Sequence, residues 1–309
     1  MSEHRVGEVT RRSGFAKVNL ALAVGPPEGE KGYHPISSWM ACVDLRDDLD
    51  LLALDPSRAS RYAILWHDDA PKRSDVDWPI AKDLAVRAQH ALEDRIARRL
   101  TVQLKMDKRI PVGAGMGGVS SDAAAMLLAL RDLYALDIDN DALSEIAMTL
   151  GSDIAFFVDD HAGPAAPRPA IVEGYGDRIT RLNAGAEPRW LTMLFPSVAC
   201  PTGEVYRAFD ELCELDHSLA GDEVRALANS GAIDADSLFN DLAKAACAVR
   251  PALGELRVEA ARSAECPVHV TGSGSALFVV ARDEDHARWL AERLREDVSI
   301  PVRALRVFA

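Results

Sequence analysis

The chain has 309 residues, is 48% hydrophobic and carries a formal net charge of −13 at pH 7. This length and composition predict a globular protein with one large core or two joined cores. The acidic balance disfavours a nucleic-acid partner, because the chain would repel a polyanion and contains no long basic run. No apolar run reaches the roughly 18 residues that span a bilayer, and residues 1–12 lack the apolar stretch of a secretion signal. We therefore expect no membrane partner and a cytoplasmic location.

Strand-like and helical patterns alternate along the first half of the chain. In chain order the predicted elements are strands at 14–24, 39–45 and 49–54, a helix at 81–98, a strand at 101–106, a helix at 123–136 and a second helix at 141–150. A stretch with one glycine and three prolines, residues 161–169, precedes a short predicted strand at 170–172. The composition then indicates a boundary near residues 184–188.

The second half of the chain also contains both predicted strands and predicted helices. Its predicted elements are a strand at 190–195, helices around 205–214 and 241–248, strands at 268–271 and 276–280, a helix at 283–296 and a strand at 302–307. The five cysteines are scattered without a Cys-x-x-Cys pair, so we expect reduced thiols and no structural zinc site. The whole pattern predicts an α+β fold with two domains, residues 1–185 and 186–309.

Residues 111–125 form a glycine-rich segment that runs into a helix-forming stretch: Pro-Val-Gly-Ala-Gly-Met-Gly-Gly-Val-Ser-Ser-Asp-Ala-Ala-Ala. Glycines let main-chain N–H groups approach an anion closely, and the start of a helix adds unpaired N–H groups and a positive dipole end. Ser120, Ser121 and Asp122 are favoured N-cap residues, so we expect the helix to begin at this triplet. The segment therefore predicts a phosphate-binding loop.

Three familiar glycine motifs do not explain this loop. A Walker loop requires Lys followed by Ser or Thr where Val119-Ser120 stands. A dinucleotide-binding fold requires a strand that ends at the first glycine, whereas residues 108–111 separate strand 101–106 from the loop. A protein-kinase glycine loop requires Val at the position of Ser120, and neither HRD nor DFG follows.

Three further segments could carry chemistry. Lys17 and Asn19 project from one face of the strand 14–24, and by themselves indicate a solvated face. Asp153 precedes an apolar run and by itself indicates a helix cap. Residues 271–275, Thr-Gly-Ser-Gly-Ser, by themselves indicate a tight turn in a sheet.

Taken together and in this order, these segments resemble the GHMP kinase superfamily. The supporting motifs are residues 16–20, 32–34, 111–125, 151–157, 201–206, 240–242 and 272–275. The resemblance implies two domains, an N-terminal unit like ribosomal S5 domain 2 and a C-terminal ferredoxin-like α/β sandwich. Within the superfamily the chain is similar to the kinases of the non-mevalonate isoprenoid pathway, which use ATP and Mg²⁺ to phosphorylate the 2-hydroxyl of 4-diphosphocytidyl-2-C-methyl-D-erythritol.

The resemblance also implies residue roles. Asp153 would bind the substrate and accept the proton of its hydroxyl, and Lys17 would orient that hydroxyl and keep Asp153 ionised. Asn19 would hydrogen-bond the substrate. ATP binding is implied for the loop residues Pro111, Gly113, Ala114, Gly115, Met116, Gly117, Gly118, Val119, Ser120 and Ser121.

Recognition of the cytidine end is implied for a second group of residues. Tyr33 and Tyr206 would stack on the two faces of the cytosine, and the backbone and imidazole of His34 would read its polar edge. Further substrate contacts are implied for Thr202, Gly272, Ser273 and Gly274. Magnesium would be held by phosphate oxygens and water, so no protein metal ligand is assigned.

The β-branched Val119 is unusual in such a loop, and we do not expect it to adopt a positive φ.

Two alternative functions stay open at this point. One is another small-molecule kinase of the superfamily, of the mevalonate or homoserine type. The other is a catalytically silent nucleotide-binding regulator, which the presence of both Lys17 and Asp153 disfavours. The oligomeric state is open as well.

Overall fold

The structure, a computed structural model, describes residues 6–29, 32–74, 76, 78–159, 165–183, 185, 187–212 and 218–309. Its contacts divide the chain into two compact units that interleave along the sequence. The first comprises Met1–Ala16, Leu45–Ile110 and Gly117–Pro167, and the second comprises Lys17–Asp44, Pro111–Met116 and Arg168–Ala309. This division differs from the predicted continuous domains 1–185 and 186–309, which stay a prediction.

The first unit combines strands with packed helices. Its elements are the first half of β1 (Val9–Val24), the second half of β2 (Ile36–Ala53), β3 (Arg61–Trp66), a 3₁₀ helix (Ile80–Lys82), α1 (Leu84–Ile96), β4 (Val102–Lys108), α2 (Gly118–Tyr134), α3 (Asn140–Leu150) and α4 (Ile154–Phe157). Strand β4 pairs antiparallel with β2 and parallel with β3. Helix α1 packs on α2 and α3, and α4 packs on the same two helices.

The second unit contains the remaining elements. They are the second half of β1, the first half of β2, β5 (Ala170–Gly174), β6 (Arg178–Arg181), β7 (Arg189–Leu194), α5 (Thr202–Leu212), α6 (Gly221–Ser230), β8 (Phe239–Asn240), α7 (Leu242–Val249), α8 (Pro251–Ala264), β9 (His269–Val270), β10 (Leu277–Ala281), α9 (Glu284–Val298) and β11 (Val302–Phe308). Antiparallel pairing links β2, β11, β7, β10 and β9 in that order, and β8 runs parallel to β1.

The core of the second unit lies between its sheet and helices α5, α7, α8 and α9. Alternate residues of β10 point into this core, as the two-residue period of a strand requires. Helix α9 contributes Ala287, Leu290, Ala291 and Leu294, whose spacing forms one apolar stripe. Its N-cap Asp283 accepts a hydrogen bond from the His286 amide at 2.8 Å, which fixes the start of the helix close to the predicted residue.

The two strands predicted at 39–45 and 49–54 are one continuous strand, β2. The polar residues Arg46, Asp47 and Asp48 suggest a break between two apolar runs. In the structure the alternation continues through them, with Asp47 fully buried and both neighbours more exposed. Asp47 is buried because it pairs with a buried cation, which is described below. This ion pair explains why the strand is continuous where the sequence predicted a break.

Several short or weakly patterned elements were not predicted, among them β3, β6 and α8. Residues 161–164 of the predicted connection 161–169, and residues 213–214 of the predicted helix 205–214, lie outside the described residues. The four cysteines that the structure describes, Cys42, Cys200, Cys247 and Cys266, are free thiols. Within the described ranges, no helix combines the length and apolar character needed to cross a membrane.

Candidate active site

The side chains of Lys17 and Asn19 are buried in the second unit, with only 4% and 2% of their surface exposed. Lys17 Nζ donates to Asn19 Oδ1 at 2.6 Å, and Asn19 Nδ2 donates to Ser38 Oγ at 2.8 Å. The Asn19 amide donates to Thr271 Oγ1 at 3.0 Å. The expectation of a solvated face is therefore wrong, because the segment that begins at Thr271 covers this part of β1.

The glycine turn at 272–274 packs directly against the phosphate loop and Lys17. A Cβ on Gly115, whose φ is +73°, would lie 2.3 Å from the Thr271 carbonyl oxygen. A Cβ on Gly272, whose φ is +56°, would lie 2.9 Å from the Gly115 carbonyl oxygen and 3.4 Å from Lys17 Nζ. Both positions thus require glycine, because the φ angle is positive and because a Cβ would clash with a neighbouring carbonyl oxygen. The structure brings together three motifs that are far apart in the sequence.

Main-chain hydrogen bonds fix the same arrangement. The Lys17 amide donates to the Met116 carbonyl oxygen at 2.9 Å, and the Ala276 amide donates to the Ala114 carbonyl oxygen at 3.1 Å. These bonds join the loop to β1 on one side and to the segment leading into β10 on the other. The first half of the loop is therefore held in place by main-chain hydrogen bonds.

The second half of the loop forms the start of α2. Gly117 is the N-cap with φ +68°, and no side chain caps this end of the helix. The amides of Gly118, Val119 and Ser120 are thus the unpaired N–H groups of the first turn, an arrangement suited to an anion. The N-cap expectation for Ser120, Ser121 and Asp122 is wrong, because the helix begins before them.

Val119 lies inside this helix, and the positive φ values of the loop fall on glycines 113, 115 and 117. The prediction that Val119 does not adopt a positive φ is confirmed. Gly118 allows a close approach of the helix start to Ile110, since a Cβ there would lie 2.7 Å from Ile110 Cγ2. A β-branched residue at 119 is therefore compatible with the fold of the loop.

A buried ion-pair cluster, which the sequence reasoning missed, lies beneath the start of α2. Lys108 is 1% exposed, and its Nζ lies 2.5 Å from both Asp47 Oδ2 and Asp122 Oδ2. Asp47 Oδ1 also accepts hydrogen bonds from the amides of Arg109 and Ile110. The available signal was the alternation of β4, in which Val102, Leu104, Met106 and Lys108 share the buried face.

The two carboxylates of this cluster differ in their partners. Burial lowers the pKa of Lys108, but Asp122 and Asp47 outweigh it, so that the pKa is raised above its usual range. Burial raises the pKa of Asp122 well above its usual range, against the opposing effect of Lys108. Asp122 Oδ1 has no hydrogen-bond partner among the described residues. The cluster ties the first turns of α2 to β2 and β4.

Asp153 stands in the first unit at the start of α4, with φ −82° and ψ −14°. Its side chain accepts no capping hydrogen bond from this helix, and it is half-buried, whereas Ile154–Phe157 are buried. Asp153 thus occupies the N-cap position of α4, as predicted, but its side chain makes no capping hydrogen bond. A carboxylate at the edge of a buried apolar segment fits a functional role, and its assignment as a base stays a prediction.

The residues predicted to bind the cytidine end are only partly brought together. The rings of His34 and Tyr206 lie 5.1 Å apart at 41°, with His34 from the 25–35 connection and Tyr206 from α5. Thr202, at the start of α5, shares a hydrogen bond of 3.0 Å with Ser273 of the glycine turn. Tyr33 is 61% exposed and leaves a large part of its ring surface open.

Asn240 and Asp241 have structural partners. Asn240 Nδ2 donates to the carbonyl oxygens of Val270 and Gly272, each at 2.8 Å, and so supports the glycine turn. Asp241 Oδ2 accepts from the Val24 amide at 2.9 Å. In the part of the chain that the structure describes, no group of three or more His, Cys, Asp or Glu side chains could hold a metal ion.

Comparison with known proteins places this site in a family. Residues 83–160 match the model of the GHMP kinase N-terminal domain. A solved homoserine kinase from Cytophaga hutchinsonii, 15% identical, shares the fold over 95% of this chain and 94% of its own length with a TM-score of 0.64. The family-model match and the shared fold confirm the predicted α+β architecture, which is that of the GHMP kinase class.

Two proteins with higher sequence identity to this chain narrow the family assignment. A 4-diphosphocytidyl-2-C-methyl-D-erythritol kinase of Caulobacter vibrioides is 34% identical over 300 residues, which are 93% of this chain and 94% of the relative. A crystal structure of 4-(cytidine 5'-diphospho)-2C-methyl-D-erythritol kinase is 31% identical, with a TM-score of 0.74, over 97% of this chain and all of the other. The chain belongs to the family of 4-diphosphocytidyl-2-C-methyl-D-erythritol kinases.

Proposed function

We propose that this protein transfers the γ-phosphoryl group of ATP to the 2-hydroxyl of 4-diphosphocytidyl-2-C-methyl-D-erythritol, giving the 2-phosphate and ADP in isoprenoid precursor synthesis. Family membership supports this reaction. The observation that carries it is the packing of Gly115, Gly272 and Lys17 against one another, because it joins the motifs of a GHMP kinase around a loop that suits a triphosphate.

Phosphoryl transfer needs positioning and charge compensation more than covalent chemistry. We propose that the first-turn amides of α2 and the glycines of residues 113–118 bind the triphosphate. In the transfer step the substrate oxygen bonds to the γ-phosphorus as the bond to the bridging oxygen of ADP breaks. Asp153 accepts the proton that leaves the hydroxyl, and Lys17 orients the hydroxyl and offsets negative charge.

Magnesium is part of the proposal because it neutralises phosphate charge in such reactions and keeps much of its water shell. One feature of the loop supports the binding of ATP together with Mg²⁺. Its positive-φ glycines and its uncapped helix start offer main-chain donors to the phosphates, leaving the metal to phosphate oxygens and water. We name no protein ligand for the metal.

For the cytidine end we propose stacking between Tyr33 and Tyr206, with further contacts from Asn19, His34, Thr202 and residues 272–274. The open ring surface of Tyr33 supports this role, since base stacking contributes about 1–3 kcal/mol per base. The substrate is a small metabolite, and we propose the cytoplasm as the place of reaction.

A panel of alcohol substrates tests the proposal. With ATP and Mg²⁺, the purified protein should phosphorylate the cytidine-diphosphate-linked methylerythritol, and kcat/KM for mevalonate and homoserine should be lower by orders of magnitude. Comparable kcat/KM for mevalonate or homoserine would overturn the assignment in favour of another GHMP kinase. ATP binding without turnover of any of the three would indicate a silent regulator instead.

A further inference from the structure

A series of buried hydrogen bonds leads from β2 through Asn19 to Lys17. The Ser38 hydroxyl on β2 donates to the Ala21 carbonyl oxygen at 2.8 Å, and Asn19 Nδ2 donates to Ser38 Oγ at 2.8 Å. Lys17 Nζ then donates to Asn19 Oδ1 at 2.6 Å. Ser38 has no exposed surface. It therefore acts on a bound substrate through its neighbours and not by direct contact.

The number of protons on Ser38 fixes the direction of the whole series. A hydroxyl has one proton and a carbonyl oxygen can only accept, so the Ser38 proton lies on the Ala21 side. The Ser38 oxygen is then left to accept, and only the NH₂ end of the Asn19 amide can donate to it. The reversed amide would set two acceptor oxygens against each other and its NH₂ group against the Lys17 ammonium. Both contacts are costly in a buried site.

A second hydroxyl favours the same orientation of Asn19. Thr271 Oγ1 accepts from the Asn19 main-chain amide at 3.0 Å and donates to Asn19 Oδ1 at 3.5 Å. The second contact is at the long limit of a hydrogen bond, so Ser38 is the stronger of the two determinants. Ser38 is itself held by strand pairing, since it lies opposite Val172 of β5.

We infer that Ser38 is a positioning residue for the phosphoryl-transfer step: it fixes the Asn19 amide, which holds the Lys17 ammonium where it orients the substrate hydroxyl. The lysine side chain is a point charge on a flexible four-carbon stem, so its position depends on such contacts. A displacement of about 1 Å at a reacting group can lower a rate about a hundredfold. This inference rests on the proposed function, because it concerns the proposed role of Lys17.

The test compares Ser38→Ala with Ser37→Ala. Ser37 is the matched control, because it is the adjacent residue of β2, is equally buried, and has a hydroxyl without a hydrogen-bond partner in the described part of the chain. Ser38→Thr returns a hydroxyl to the position and tests for rescue. Ser38→Cys, which is close to serine in size but a weak acceptor, replaces Ser38→Ala if the alanine variant does not fold.

We expect Ser38→Ala to lower kcat at least about tenfold, because a contact that places a charged group is lost. The KM values for ATP and for the cytidine substrate should stay within about twofold of the wild type, since the binding contacts remain. Ser37→Ala and Ser38→Thr should keep kcat within about threefold of the wild type. In a Lys17→Met background, Ser38→Ala should lower kcat less than about twofold further, because the two residues act as one unit.

The NH₂ protons of the Asn19 side chain give a readout that does not need turnover. Asn19→Asp assigns their NMR signals. In the wild type, in Ser37→Ala and in Ser38→Thr, the Nδ2 proton directed at position 38 should be shifted downfield by its hydrogen bond. In Ser38→Ala this proton should move upfield.

An undiminished kcat in a folded Ser38→Ala or Ser38→Cys variant would overturn the inference. So would an equal loss in Ser37→Ala, a Ser38→Thr enzyme as slow as Ser38→Ala, or unchanged Asn19 signals in Ser38→Ala. A wild type that phosphorylates none of the alcohol substrates would instead overturn the proposed function. The Asn19 signals would still decide whether Ser38 fixes the amide, which keeps the two failures apart.

Discussion

At the scale of single residues, two glycines of the phosphate loop distinguish the cost of a left-handed backbone conformation from the cost of a steric clash. Gly113 and Gly115 have similar φ values, +70° and +73°, but a Cβ meets nothing within 4 Å at Gly113 and lies 2.3 Å from the Thr271 carbonyl oxygen at Gly115. Gly113→Ala should cost about 1–2 kcal/mol of unfolding free energy, as expected for a left-handed alanine. Gly115→Ala should cost more and should raise the KM for ATP, because the loop must move. Urea unfolding measures the free-energy cost of each variant, and initial rates measure its KM for ATP. Equal costs in the two variants would show that the Thr271 segment moves aside without an energetic penalty.

Asp153 allows a second prediction at this scale. Asp153→Asn keeps the size of the side chain but removes its ability to accept a proton, so kcat should fall at least about a hundredfold. The melting temperature should stay near that of the wild type, because Asn keeps the size of the side chain and a hydrogen-bond acceptor oxygen. Asp139→Asn is a matched control, because Asp139 does cap α3 and Asn caps equally well. Turnover near the wild-type value in Asp153→Asn would remove Asp153 from the reaction.

At the scale of elements, the position of α2 depends on a charge cluster. Lys108→Met would leave Asp47 and Asp122 buried without their cation, which should cost about 3–5 kcal/mol of unfolding free energy. Lys105→Met is the control on the same strand, because the Lys105 side chain is exposed and forms its ion pair with Asp107 at the surface. It should cost no more than about 1 kcal/mol. Denaturant unfolding of both variants measures the difference, and similar small losses would mean that the cluster adds little stability.

The elements also show where sequence patterns mislead. The apolar periodicity of α9 and the caps of α3 and α9 lie in the local sequence, and these helices begin within one or two residues of the predicted positions. The continuity of β2 does not lie there. Its central residues Arg46-Asp47-Asp48 predict a break, but Lys108 and the main-chain amides of Arg109 and Ile110, all distant in sequence, make a buried Asp47 favourable.

At the scale of the whole molecule, a buried histidine predicts how stability depends on pH. His269 is buried in β9 beside the Phe278 ring, and its Nε2 has no hydrogen-bond partner in the described part of the chain. Burial, aided by Arg257, lowers the pKa of His269 to about 4. The unfolded chain takes up a proton near the ordinary pKa of about 6.5, and the folded protein does so only near pH 4. Stability is therefore complete above pH 6.5 and falls as the pH decreases toward 4.

The loss from this residue should reach about 2 kcal/mol at pH 5, from the difference in proton binding between the two states. Urea unfolding at pH 7.5 and pH 5 should show a smaller loss in His269→Gln than in the wild type. His90→Gln, which removes an exposed histidine of α1, is measured beside it as the control variant. An identical acid loss in the wild type and His269→Gln would contradict the assignment.

The sequence by itself determined the chemistry of the motifs and their order: a glycine loop at 111–118, a lysine strand, an aspartate before an apolar run and a second glycine turn. Those local signals were enough to indicate the resemblance to GHMP kinases, and the positive φ angles of the phosphate loop fall on glycines because other residues adopt them at a cost. Only the tertiary structure decided that Lys17 is buried beside Asn19 and that Gly115 faces Thr271. It likewise decided that His34 lies between Gly25 and Asp210. The contacts of Asn19 with Thr271, of Gly115 with Thr271 and of His34 with Asp210 join residues distant in sequence, and the burial of a polar group depends on such partners, which no local pattern contains.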